Sequence, residues 1–188
     1  MLINEPKSAN PRLFFGFGLT DAFHKQCTAL PGKGIMVHWT PPGDRHITLR
    51  YLGACEAQLV DRLDAAIGEG VRKKAFHVHV SGLNILGQSP VLVADVVSLK
   101  NPVDLKGRLE DRLATLDIER DPRNYYPHVT LARNIGKDGK CQLKDYVRRH
   151  SGYIDTHFRL THFSLFESNQ PDHTGLRYTE LARFTLGR

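Results

Sequence analysis

The sequence predicts an α+β fold of two similar lobes related by a rough twofold, with antiparallel sheets lining a central cleft and helices packed outside. Three observations predict it. Segments of two-residue apolar alternation intersperse with segments of helical periodicity along one chain of 188 residues, a length that suits a single two-lobed domain over 1–188. The pattern His46-Ile47-Thr48-Leu49 returns as His128-Val129-Thr130-Leu131, 82 residues later and close to half the chain. Each copy also follows a proline-containing loop and enters a strand, so the halves repeat in order as well as in motif.

The elements follow in turn. Arg12–Leu19 is an aromatic and aliphatic run that reads as a buried strand. Thr20 and Asp21 offer capping oxygens to a helix through Leu30, which Pro31-Gly32 ends. After Pro41-Pro42-Gly43-Asp44 comes the first motif strand, Arg45–Leu52, closed by Gly53. Between Glu56 and Ile67, residues Leu59, Val60, Leu63, Ala66 and Ile67 share a helical face, with Gly68 and Gly70 as stops. Phe76, Val78 and Val80 alternate with His77, His79 and Ser81, and Val91–Val97 is β-branched, giving two strands joined by a turn in Leu83–Pro90.

Asn101-Pro102 reads as a cap and first helical position, followed by a stripe of Leu105, Leu109, Leu113 and Leu116. The turn-rich Asp121–Pro127 delivers the second motif strand, His128–Arg133, and a short helix spans about Leu143 to Arg149. Two last strands, Phe158–Glu167 and Tyr178–Leu186, flank the loop Ser168–Gly175.

Composition narrows the class of function. The formal charge of +6 and pI near 9.3 favour a polyanionic partner such as RNA or a nucleotide. The short basic runs Arg72-Lys73-Lys74 and Arg148-Arg149-His150 read as solvated helix ends. Three separated cysteines, Cys27, Cys55 and Cys141, form neither a disulfide framework nor a zinc knuckle, which fits a reducing cytoplasm. No apolar run approaches the ~20 residues of a membrane span, and no oligomer is called for, so a monomer is expected.

The motif itself carries the chemistry. In a strand, side chains alternate between faces, so each His and its Thr point one way while Ile47, Leu49, Val129 and Leu131 point the other. Facing copies supply two proton carriers and two hydroxyls around one small anion. His77 and His79 share a face, but neither a carboxylate nor a third histidine has the accompanying spacing; they read as solvated residues and no metal or other cofactor is expected. The remaining histidines, His157 among them, receive no chemistry, and the absence of a Gly-x-Ser-x-Gly elbow disfavours a serine hydrolase.

These residues resemble the two-histidine phosphoesterases, in particular the bacterial RNA 2',3'-cyclic phosphodiesterases, also called 2'-5' RNA ligases. The resemblance runs through Arg12-Leu13-Phe14-Phe15, Trp39–Gly53, Pro127–Arg133, and Phe163–Ser168 with Gly175 and Tyr178. It implies metal-independent hydrolysis of 2',3'-cyclic phosphate ends of RNA or nucleotides to 2'-phosphates, with 2'-5' ligation as the reverse. It further implies His128 as proton acceptor, His46 as proton donor, and Thr48 and Thr130 as donors to phosphoryl oxygens. Arg133 is a candidate phosphate ligand, although its odd separation from His128 turns it away unless a bulge or strand end intervenes. Phe14 or Phe15 is a candidate for stacking a base, with packing into the core as the rival reading and Phe15 retained as the substrate contact. The rival readings are a phosphodiesterase for 2'-5'-linked oligonucleotides or other cyclic phosphates, and a non-catalytic RNA-binding module.

Overall fold

A computed structural model describes residues 1–32, 35–71, 73–134 and 139–187. Arg72 of the first basic run lies outside the described residues. Within them the chain is a mixed α+β protein whose strands join one antiparallel sheet flanked by four α-helices. The strands are β1 (Arg12–Gly18), β2 (Val37–Trp39), β3 (His46–Ala54), β4 (Phe76–Leu86), β5 (Val91–Val96), β6 (His128–Asn134), β7 (Asp155–Leu160), β8 (His162–Ser168) and β9 (Tyr178–Thr185). The helices are α1 (Asp21–Thr28), α2 (Leu59–Gly70), α3 (Lys100–Ala114) and α4 (Gly139–His150).

The sheet runs β7-β4-β5-β6-β3-β1-β8-β9, with β2 beside β6. Its two halves meet at a single pairing, Ile47 opposite Val129, so β3 and β6 touch at the motifs and diverge on either side. Each half has four strands on the main path. The connections cross the join: α1 follows β1 but its Gln26 side chain bonds the backbone of Asp155 on β7, while α3 follows β5 and packs against β3 and α2. Crossed helices bind the halves together, and their apolar faces bury one continuous core.

Alternation explains which face is which. Leu13, Phe15 and Phe17 of β1, Val78 and Val80 of β4, and Ile47 and Val129 of the motif strands are each 0% exposed, and all point towards the helices. The residues between them line the opposite, solvent-facing side. Thr20 caps α1 as its sequence position predicts, accepting from the Phe23 amide.

Four expectations need correction. The expected strand Phe158–Glu167 is two strands, β7 and β8, parted at Thr161 and placed in opposite halves; the inward-facing residues Leu160 and Phe163 are three apart, so one continuous alternating strand cannot bury both. Gly68 does not stop α2, because Val60, Leu63 and Ile67 bury a face that carries the helix through it to Gly70, where it ends. Asn101 is not the cap of α3: the helix starts at Lys100, and Pro102 sits in its first turn, where a missing N–H costs no helical bond. Gly53 does not close β3 but lies within it at φ 82°, opposite a register shift in β1.

Candidate active site

A short 3-10 turn, Pro42–Asp44, drops the chain into β3 so that His46 is its first residue. The antiparallel register through Ile47 and Val129 then sets His46 across from Thr130 and Thr48 across from His128. Each histidine shares a face with the threonine two residues on in its own strand and lies across from the threonine of the facing strand. The four side chains are brought together on the solvent-facing side, as the sequence predicts, while Ile47, Leu49, Val129 and Leu131 are buried beneath them.

Both imidazoles are tied down by the same device. His46 donates from Nδ1 to the Asp44 carbonyl at 2.8 Å, and His128 donates from Nδ1 to the Tyr126 carbonyl at 2.8 Å. A carbonyl only accepts, so the bond fixes Nδ1 as the protonated nitrogen and leaves Nε2 for chemistry. The His46 Nε2 receives the Thr48 hydroxyl at 3.1 Å. Burial pushes the His46 pKa down to about 4, against the bond to Asp44, and the electrostatic influence of His128 and Arg133 acts the same way as burial. His46 is therefore neutral at pH 7 in the free protein.

Aromatic rings supply that burial. Phe14 lies 4.6 Å from His46, stacks on Phe166 at 5.1 Å and meets Tyr178 edge-on at 5.1 Å. Tyr178 stands perpendicular to His46 at 4.9 Å, and its own hydroxyl pKa is raised by burial. Under the imidazole, Gly16 leaves room: a Cβ there would meet the Ile47 carbonyl at 2.9 Å and His46 Cδ2 at 3.5 Å.

Arg133 reaches the site by the irregularity that strict alternation requires. Thr130 pairs with Val93 but Ala132 pairs with Leu92, so Leu131 is the extra residue of a bulge and the parity of β6 resets after it. Arg133 then lies close enough for its charge to act on both His46 and Tyr178. Phe15, by contrast, is no substrate contact. It is 0% exposed among Phe163 and Phe184 in the core, because Leu13, Phe15 and Phe17 share the inward face and only Phe14 and Gly16 turn outward.

The surroundings hold the two strands in place. The Tyr125 hydroxyl donates to the Thr48 carbonyl at 3.1 Å, joining the segment that precedes His128 to the strand that carries His46. Arg50 of β3 pairs with Glu110 of α3 at 3.1 Å and donates to the Glu119 carbonyl at 2.6 Å, while Lys106 bonds the same Glu110 at 2.7 Å. Buried Asp44 accepts the Arg177 amide on both carboxylate oxygens, at 3.0 and 3.2 Å, which docks the loop before β9 beside His46. On the other flank Asp95, paired in register with His128, accepts the Tyr126 hydroxyl at 2.6 Å and an Asn84 amide at 3.2 Å.

Sequence reasoning assigned no role to Tyr178, Phe166, Asp44 or Asp95. A signal existed for Phe166: in β8 it occupies an outward position between Ser164 and Ser168, where an aromatic residue is out of place on a merely solvated face. Asp44 and Tyr178 lie 134 positions apart and carried no such signal.

Residues 37–172 match the 2'-5' RNA ligase superfamily. The RNA 2',3'-cyclic phosphodiesterase of Bacillus subtilis (strain 168) is 26% identical over 153 residues, covering 79% of this chain and 80% of that protein. Among solved structures, E. coli LigT complexed with 3'-AMP superposes with a TM-score of 0.74 at 21% identity, over 95% of this chain and 99% of that one. TT0787 of Thermus thermophilus gives 0.71 at 21% identity, over 94% and 99%. The two structures share the fold.

Proposed function

The chain belongs to the 2'-5' RNA ligase superfamily, and from that premise we propose that it hydrolyses the 2',3'-cyclic phosphate ends of RNA or nucleotides to 2'-phosphates. The observation that carries this reading is the interleaved set of two Nδ1-anchored imidazoles and two hydroxyls across the β3–β6 join. Simple anion binding needs donors; it does not need two opposed proton carriers.

In this reading one domain contributes a motif from each of its halves. The water oxygen forms a bond to phosphorus as the P–O3' bond breaks in line with it. His128 Nε2 takes the proton of that water, and His46 Nε2 gives a proton to the departing O3', in the order that the family resemblance implies. Thr48, Thr130 and Arg133 hold the equatorial oxygens, whose charge grows in the transition state. The low pKa of His46 in the free site fits the donor role once substrate is present, because an anion beside a buried imidazole favours its protonated form. Phe14 and Tyr178 keep water from the ring until then. Ligation is the same displacement with a 5'-hydroxyl in the place of that water, not its reversal: the 5' oxygen bonds to phosphorus through a 2'-5' link as the P–O3' bond breaks, His128 taking the hydroxyl proton and His46 protonating O3'.

The test is turnover of a short RNA ending in a 2',3'-cyclic phosphate, with EDTA present and the 2'- and 3'-phosphate products resolved. The expected product is the 2'-phosphate, and His128→Ala is expected to lower turnover by roughly 10² to 10⁴. An unchanged rate in that variant, or binding of the RNA without turnover by the native protein, overturns the reading.

A further inference from the structure

The sequence sets His79 with His77 on a solvated face and gives His157 no chemistry, yet the sheet pairs His79 with His157. Antiparallel register sets His79 of β4 directly opposite His157 of β7, and the two rings stack at 3.8 Å and 15°. Asp155 lies two residues before His157 on the same face, and its carboxylate accepts His79 Nε2 at 2.6 Å. One nitrogen from each ring and one carboxylate oxygen all lie within 4.8 Å of one another.

We propose that His79, Asp155 and His157 bind one divalent transition-metal ion of the Zn²⁺ class at the β4–β7 edge of the sheet. Two imidazoles and one carboxylate are a donor set for Zn²⁺, Ni²⁺ or Cu²⁺, whereas Mg²⁺ and Ca²⁺ take oxygen ligands. Around a tetrahedral ion, donors at ~2.1 Å stand about 3.4 Å apart. The separations reach that value by rotation of the side chains out of their stack, the His79–Asp155 contact opening from 2.6 Å. Asp155 and His157 are exposed and free to turn. The backbone that carries them is already held: Gln26 of α1 donates to the Asp155 carbonyl at 3.0 Å and accepts its amide at 3.2 Å, and it also accepts the Thr156 hydroxyl.

The site is separate from the proposed chemistry. It lies on the same solvent-facing side as His128, but His79 is two strands along and Asp155 and His157 three, which at ~4.8 Å per strand puts the site about 10–14 Å away across the sheet. Three protein ligands leave a fourth position to water. Since β7 is an edge strand whose one strand neighbour among the described residues is β4, a bridging ion ties the edge to the sheet.

The experiment is calorimetric titration of ZnCl₂ into EDTA-dialysed protein, with thermal unfolding measured alongside. The expected result is one saturable equivalent and a rise in Tm of roughly 5–10 °C at a hundred times the measured Kd. His157→Ala and Asp155→Asn lose both effects, His173→Ala keeps them, and MgCl₂ gives neither. In a Cu²⁺ titration followed by NMR, the first imidazole signals to broaden belong to His79 and His157. Saturable zinc binding retained by His157→Ala, or a native protein that takes up no stoichiometric zinc, overturns the proposal. Cyclic phosphate turnover in EDTA, unchanged in His157→Ala, shows that the variant is folded and keeps the two readings distinguishable.

Discussion

Filling the site with an anion is expected to return a proton to His46. The free imidazole is held at about 4 by burial and by the electrostatic influence of His128 and Arg133. One negative charge at ~4 Å, at an effective dielectric of ~20, attracts the imidazolium by about 4 kcal/mol. Since each pH unit of pKa corresponds to ~1.36 kcal/mol, that attraction raises the pKa by on the order of three, to near neutrality. Sulfate is a suitable ligand because its own charge is constant across the range. The assay is a pH titration of the His46 Cε1 signal by NMR in ¹³C-histidine-labelled protein, with and without saturating sulfate, the signal being assigned from its loss in His46→Gln. Linkage requires the reciprocal effect: sulfate binds tighter as pH falls from 7 towards 4. A bound sulfate that leaves the His46 titration in place would falsify the account of how a buried, neutral ring becomes the acid.

Four further outcomes follow from the same geometry. His46 has a folded pKa of about 4 against ~6.5 unfolded, so its contribution is intact above 6.5 and is lost as pH falls to 4, where the unfolded chain takes up a proton the folded site refuses. Chemical denaturation at pH 7 and pH 4 is expected to show the native protein losing about 3 kcal/mol relative to His46→Gln over that interval; parallel pH profiles would refute it. Phe15→Ala is expected to cost about 3–5 kcal/mol of stability. Phe14→Ala, which uncovers His46, is expected to move that ring's pKa up from about 4, and the two effects are separable by denaturation and NMR. In Gly16→Ala the added methyl meets the Ile47 carbonyl at 2.9 Å, and strain of about 1–3 kcal/mol is expected together with a fall in cyclic phosphate turnover, because the strand that must move carries His46. Native turnover in that variant would mean that the strand gives way at no cost.

Local periodicity determined much of this protein. Alternation was enough to place Ile47, Leu49, Val129 and Leu131 beneath and His46, Thr48, His128 and Thr130 above, because the two-residue period of a strand is a property of the backbone and does not depend on its neighbours. The same rule, applied to Leu13-Phe14-Phe15-Gly16-Phe17, also separates Phe14 from Phe15 once Leu13 and Phe17 are counted as core. The α+β class, the stripe of α3 and the cap of α1 were legible for the same local reason.

What the tertiary structure decided is everything that depends on which strand lies beside which. The bulge at Leu131 that brings Arg133 round is a mismatch between β6 and β5, and neither strand records it alone. The break at Thr161 separates two strands because β4 and β1, far apart in sequence, each recruit one of them. His79 meets His157 across 78 positions, and Tyr178 meets His46 across 132, through backbone hydrogen bonds whose register is set by burying the whole core at once. A chain writes its periodicity residue by residue, but partners distant in sequence are chosen collectively, by the packing that satisfies every strand and helix together.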